Sequence, residues 1–495
     1  MTHRHNFHFV LFSQTKDMKP KKIFTVVLLF AVALCAGAVK TPKYVFYFIG
    51  DGMGLNQVNG TETYLAALEG RIGIGQLCFA NFPYTACATS YSSSNGITDS
   101  AAGGTALATG CKTYNGCLGL RPDSVTSVTS IAKWAKDAGM AVGITTSVSV
   151  DHATPASFYA HQTYRGKYYE IGCDLAESGF DFFAGSDFLI PESKDKDKED
   201  LYTRCSNAGY TIVRGFQEYQ QKKAEAKRMI MFQSEAASKV DRTSIPYFID
   251  RKPGDMTLQD ITRAAIDFLY EKGPKGFFLM VEGGKIDWAA HANDARTVFS
   301  EVVDMDNAVR IACDFMRLHP DETLIVVTAD HETGGLGLGN SDYTLHTDLL
   351  KYQNLSAGAY SSHLGKLRKE LGEGFTFEAV RNDLTENFGF WREVPVTEEQ
   401  EDRLLLAYEA LVKGTDKGAE SMYAKENALG NLAKKILNDN AHLGWTSGNH
   451  TNGYVPVFAI GAGAEAFHGR IDNTDIAPLI ATLAGYCNGN PNNAK

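Results

Sequence analysis

Five short stretches of the chain are apolar throughout rather than alternately apolar and polar: Tyr44 to Ile49, Ala141 to Thr145, Phe277 to Val281, Leu324 to Thr328 and Val455 to Ile460. Alternation marks a strand with one wet face, whereas continuous runs of this length predict strands covered on both faces. Between them, Ser127 to Ala138 and Leu258 to Glu271 repeat apolar residues at helical spacing. Strands alternating with helices predict an α/β fold, a parallel-rich central sheet with helices on both faces. The pattern changes at about 337–440, where strand signals thin out. There Thr397-Glu-Glu-Gln400 is a capping box opening a helix to about Val412, and a second helix is expected from Glu420 to Leu437. The segment reads as a mostly helical insertion. Lys194 to Asp200, a run of alternating charge, reads as a solvated loop.

Lys19, Lys21 and Lys22 precede an apolar run from Ile23 to Leu34, then Cys35-Ala36-Gly37-Ala38. Basic, apolar, then small residues is the order of an export signal, and the run is too short for an ordinary membrane span. Residues 1–38 are read as a signal peptide cut after Ala38, with Met18 as an alternative start because the basic stretch lies deep in the chain. Residues 39–495 form the mature chain, expected to be periplasmic or secreted. Cys35 offers a lipid-anchor reading, but Leu34 is larger than such cleavage prefers, so plain export is favoured. No other stretch is long and apolar enough to span a membrane. With 48 basic against 58 acidic residues the net charge is -10, so the basic footprint of a nucleic-acid binder is missing. The eight cysteines after Cys35 contain no Cys-x-x-Cys, which argues against a thiolate zinc site; export permits disulfides, but spacing does not choose a pairing.

The apolar runs lead directly into ionisable residues. Tyr44–Ile49 runs into Gly50-Asp51-Gly52, Phe277–Val281 into Glu282, and Leu324–Thr328 into Asp330-His331. In open α/β sheets sites form beyond the carboxyl ends of the strands. Asp99-Ser100-Ala101-Ala102-Gly103-Gly104 places a serine at what reads as a helix start, where free N–H groups suit a phosphate. Ser100 is the candidate nucleophile, activated by metal rather than by a histidine base. Asp287 and His291, four apart, share a helix face and can hold one metal. His450, in Gly448-Asn-His-Thr-Asn-Gly453, precedes the last apolar run. Oxygen and nitrogen donors suit zinc, and an all-oxygen set suits magnesium.

In order and spacing these motifs closely resemble the alkaline phosphatase family, from Tyr44 to about Gly335 and again from Gly448 onward. The resemblance implies two zinc ions, one on Asp51, Asp330 and His331, the other on Asp287, His291 and His450. It implies magnesium on Asp51, Thr154 and Glu282, and a phosphate-binding role for Arg165, whose planar fork suits two phosphate oxygens. Neither Thr154 nor Arg165 stands out from spacing alone. The implied reaction is hydrolysis of small phosphate monoesters of broad range, at alkaline pH, through a phosphoserine; the alternative is a phosphodiesterase or another hydrolase of the superfamily. The family's usual homodimer is implied by analogy. A disulfide of Cys117 with Cys173 is the first choice from animal members, Cys111 with Cys117 the alternative. Two positions depart from many bacterial members: His152 stands in place of an aspartate near the magnesium, and Trp288 in place of a lysine near the phosphate.

Overall fold

The computed structural model describes residues 40–420, 422–487 and 489–493; the signal-peptide reading of residues 1–38 lies outside them. Ten strands form one sheet: β1 Tyr44–Gly50, β2 Tyr84–Thr89, β3 Ala141–Thr146, β4 Phe182–Gly185, β5 Tyr210–Arg214, β6 Arg228–Phe232, β7 Phe277–Gly283, β8 Thr323–Thr328, β9 Val455–Gly461 and β10 Gly469–Asp472. Their order across the sheet is β10-β2-β9-β8-β1-β7-β3-β4-β6-β5. All five expected runs are strands. Val45 to Ile49 in β1 are fully buried, because the Leu258–Lys272 and Ala295–Leu318 helices, among others, pack across the sheet. A strand buried on both sides has no position to spare for a polar residue, which is why its sequence does not alternate.

One strand runs against the rest, and one expectation needs correction. β9 is antiparallel to both β8 and β2. It begins just after His450 and Thr451, at the carboxyl edge of the parallel strands, so it can only run back down the sheet. The second insertion helix is Ala428–Asn440, not Glu420 to Leu437: Asn427 caps it by accepting from the Gly430 N–H, while Ala419–Glu420 and Lys425–Glu426 pair as a small hairpin. Strands β2, β4, β5, β6 and β10 carried too weak a pattern to be expected; β2 is half exposed and β4 is only four residues long.

The insertion contains helices Ala357–Leu371, Phe377–Phe388, Glu398–Lys413 and Ala428–Asn440. Thr397 and Gln400 close the expected capping box. All eight described cysteines are free thiols, so neither implied disulfide is formed; Cys78 and Cys313 approach each other to 3.5 Å. Among the described residues no helix is long and apolar enough to cross a membrane.

Candidate metal and phosphate site

The register of the central strands sets the site. Ile49 lies opposite Glu282 on one side of β1 and Thr328 on the other, and Thr146 of β3 also lies opposite Glu282. Asp51 and Asp330, each two residues beyond that level, therefore emerge side by side with Glu282, and all three are fully buried. The turn after β1 requires glycine. Gly52 has φ +70°, and a Cβ there would lie 2.8 Å from the Thr333 hydroxyl.

Three groups of side chains are close enough to share an ion: Asp51 with Asp330 and His331, Asp287 with His331 and His450, and Asp51 with His152 and Glu282. His331 Nε2 lies 3.2 Å from Asp51 and 3.4 Å from Asp330. His291 joins the second group, its Nε2 3.3 Å from Asp287 and 3.1 Å from His450 Nε2. The outer ring nitrogens are held by the backbone: His291 Nδ1 is 2.7 Å from the Gly448 carbonyl and His450 Nδ1 2.8 Å from that of Thr98. Such contacts fix the tautomer so that Nε2 carries the free lone pair. In the third group Thr154 donates to Asp51 at 3.3 Å and to Asp330 at 3.4 Å. The expected ligands thus converge, with His152 in the third group beside Asp51 and Glu282.

These residues fit metal ions. Asp51 Oδ1, Glu282 Oε1 and Asp287 Oδ2 are buried with no hydrogen-bond partner. Four buried carboxyl groups stand against a single nearby guanidinium, that of Arg165. Burial, then the Asp330 charge, pushes Asp51 well above the usual carboxylate range. Burial pushes Asp330 well up too and Glu282 up to about 7. Burial would also raise Asp287, but the adjacent His291, His450 and His331 outweigh it and hold it far down. Burial, reinforced by His450, keeps His331 neutral. Cations would stabilise the anionic form of the raised carboxyls, so metal binding here would release their protons.

Ser100 opens the Ser100–Thr109 helix, and Asp99 caps it by accepting from the Ala102 N–H. Its hydroxyl lies 3.3 Å from His331 Nε2, beside the first group. A Cβ at Gly103 would come within 2.9 Å of the Asp330 carbonyl oxygen, so the small-residue run is what lets this helix reach the strand ends. Arg165 Nη1 donates to Asp99 at 3.2 Å, and Nη2 lies 3.2 Å from His152 Nε2.

A sequence profile for alkaline phosphatase matches residues 42–181 and 189–486. The chain belongs to the alkaline phosphatase family. It is 33% identical over 388 residues to alkaline phosphatase 4 of Bacillus subtilis (strain 168), covering 78% of this chain and 76% of that one. Among solved structures it is similar to the cold-active alkaline phosphatase of the psychrophile Shewanella sp., with TM-score 0.73 and 29% identity over 89% of this chain and 99% of that one. It is also similar to a TAB5 alkaline phosphatase mutant with aspartate in place of a histidine and magnesium bound in its M3 site, with TM-score 0.62, 26% identity, and coverage of 91% and 100%. The protein is a metal-dependent phosphatase acting on phosphate monoesters.

One residue at this alkaline phosphatase site was not anticipated. Tyr423, from the insertion, stacks on Trp288 with ring centroids 4.4 Å apart and planes 7° apart, and its hydroxyl is 3.4 Å from both Arg165 Nη2 and His152 Nε2. No periodicity marks it. Met422 to Lys425 falls inside the helix expected from Glu420 to Leu437, and only the fold shows that this stretch belongs to a hairpin and where it lands. Burial, then the neighbouring guanidinium of Arg165, lowers His152 to about 3, so its imidazole is neutral.

Proposed function

We propose that Ser100 is the nucleophile of a two-step phosphoryl transfer. The carrying observation is its placement: a hydroxyl at a helix N-terminus, 3.3 Å from His331 Nε2, facing buried carboxylates that need cations. In the first step the Ser100 oxygen bonds to phosphorus as the ester oxygen leaves and takes a proton to become the alcohol. In the second, water attacks phosphorus, Ser100 regains its proton and inorganic phosphate departs. Asp51, Asp330 and His331 would hold one zinc, and Asp287, His291 and His450 the other. Asp51, Thr154 and Glu282 would hold magnesium, with His152 beside it; the magnesium in the M3 site of the TAB5 mutant supports a third metal at such a centre. When bound, these ions supply positive charge that lowers the pKa of a hydroxyl and stabilises a leaving oxygen. Arg165 grips two phosphate oxygens as a planar fork, and the Asp99 contact fixes its plane. Every inferred contact is to phosphate and none to the alcohol, which supports a broad monoester range.

Acid quenching during turnover of an aryl phosphate, followed by peptide mapping, tests this. A phosphorylated Ser100 peptide is expected, and its absence under steady turnover refutes the mechanism. We further propose export, on the order of basic, apolar and small residues before Val39. Terminal sequencing of extracellular material should begin near Val39, and an intact 22–34 segment there would refute cleavage. Assembly as a homodimer is proposed on the family resemblance, with light scattering as its test.

A further inference from the structure

The corner around Arg165 has more hydrogen-bond donors than acceptors. Arg165 Nη2 can only donate, and it faces His152 Nε2 at 3.2 Å and the Tyr423 oxygen at 3.4 Å. The phenol oxygen therefore accepts from the guanidinium, and its own proton must go elsewhere. The other neighbour is the same His152 Nε2, at 3.4 Å, whose single lone pair already faces Arg165. Trp288, stacked on Tyr423, buries an indole N–H that has no partner. Two donor groups thus face one ring nitrogen, and a third, the indole N–H of the stacked Trp288, has no acceptor. Buried donors without acceptors are costly, and a ligand rich in acceptor oxygens would relieve them.

The Tyr423 ring is also held in place. It lies flat on Trp288 and meets the edges of His152 at 5.9 Å and His291 at 5.5 Å. A phenol restrained on three sides presents its hydroxyl at low entropic cost.

We propose that Tyr423 is a phosphate-binding residue, its hydroxyl joining Arg165 in holding the oxygens of the phosphate group. The inference rests on the reading of Arg165 as the phosphate-binding arginine. With Trp288 where some relatives carry lysine, the corner holds the dianion with a neutral donor supplied by the insertion. A neutral donor keeps the orientation of the group while binding inorganic phosphate less tightly than a cation would.

The test uses the metal-loaded enzyme with inorganic phosphate as the probe. Tyr423→Phe keeps the ring and removes the hydroxyl. It should raise the phosphate inhibition constant and KM together, about fivefold, leave kcat no lower, and shrink the thermal shift that phosphate confers, with metal content and melting temperature unchanged. A Tyr423→Phe enzyme inhibited by phosphate like the parent overturns the proposal, even if Tyr423→Ala is impaired, since the ring would then only pack. Loss of metal from Tyr423→Phe overturns it too, because the residue would act through the metal centre. Arg165→Ala separates the levels. If it leaves phosphate inhibition intact, the reading of Arg165 fails and takes this inference with it. If it abolishes inhibition while Tyr423→Phe does nothing, only the inference about Tyr423 fails.

Discussion

The carboxyl edge of the sheet and the insertion at 337–440 meet at one site but are built by opposite means. At the sheet edge, position follows from register: once Ile49 lies opposite Glu282 and Thr328, Asp51, Glu282 and Asp330 have nowhere else to go. Their surroundings are fully buried backbone, and moving one of them means moving a strand. The insertion places Tyr423 between the two-residue strands of a hairpin, held by ring contacts and a long hydrogen bond from Arg165 at 3.4 Å. The difference suggests a division of labour. The sheet carries what the chemistry cannot do without, and the insertion carries what adjusts affinity.

The sharpest way to break that division is at Ser100. Ser100→Ala should lower turnover by about 10³-fold or more while leaving zinc content unchanged, because the hydroxyl is the attacking atom and all proposed ligands remain. Near-normal turnover in that variant would place the chemistry elsewhere.

Next in size is the stabilisation that metal confers, which should depend on pH. In the chelated protein Glu282, raised from 4.5 to about 7, keeps its proton where an unfolded chain has already lost it. Its contribution to stability is present below 4.5 and is lost as pH rises to about 7. Metal must displace that proton, and those of Asp51 and Asp330, which burial also raises. The melting-temperature gain on adding zinc and magnesium should therefore grow from about pH 5.5 to about pH 8. A gain that is flat or falls over this range contradicts the proposed carboxylate ligands.

These two predictions concern residues that were legible in the chain. Asp51, Glu282, Asp330 and His331 follow unbroken apolar runs, and a buried strand that ends in a charged residue announces an edge. Asp287 and His291 were readable as one helical face. Thr154 and Arg165 were not, because a one-turn helix and a loop carry no period; only the family resemblance pointed to them. Tyr423 was out of reach for a different reason. Its position depends on how the insertion packs beside the strand ends, and nothing local to Met422–Lys425 encodes that. The orientation of β9 was not readable either, since an apolar run has no direction.

A smaller effect is expected at the seam between the regions. His152→Asp introduces a carboxylate beside Asp51 and Glu282, where the neutral imidazole now offers only a lone pair. Added negative charge should tighten magnesium by about tenfold. Trp288→Lys should strengthen phosphate inhibition, since a cation would replace the surface on which Tyr423 lies. Titration of chelated protein with magnesium, and inhibition by phosphate, measure the two. If neither moves, both residues only pack.

The smallest expected effect belongs to the insertion's own histidines. His363 Nε2 is 2.7 Å from Asp383 Oδ1, and His442 Nδ1 lies 3.0 Å from the Thr344 hydroxyl and 3.1 Å from its carbonyl. His346 meets the edge of the His442 ring at 5.0 Å. Each of these partners lies within or beside the insertion and none is a proposed ligand. His363→Ala removes a half-exposed pair, whose loss costs about 1 kcal/mol or less. Alanine at each of the three should leave metal content and kcat at parental values, with at most a slight fall in melting temperature. The proposed ligand set at the sheet edge is complete without them, since three groups of donors converge there. Loss of one metal equivalent in any of the three variants would mean that the insertion supplies a ligand, and the separation between essential sheet and adjusting insertion would fail at its clearest point.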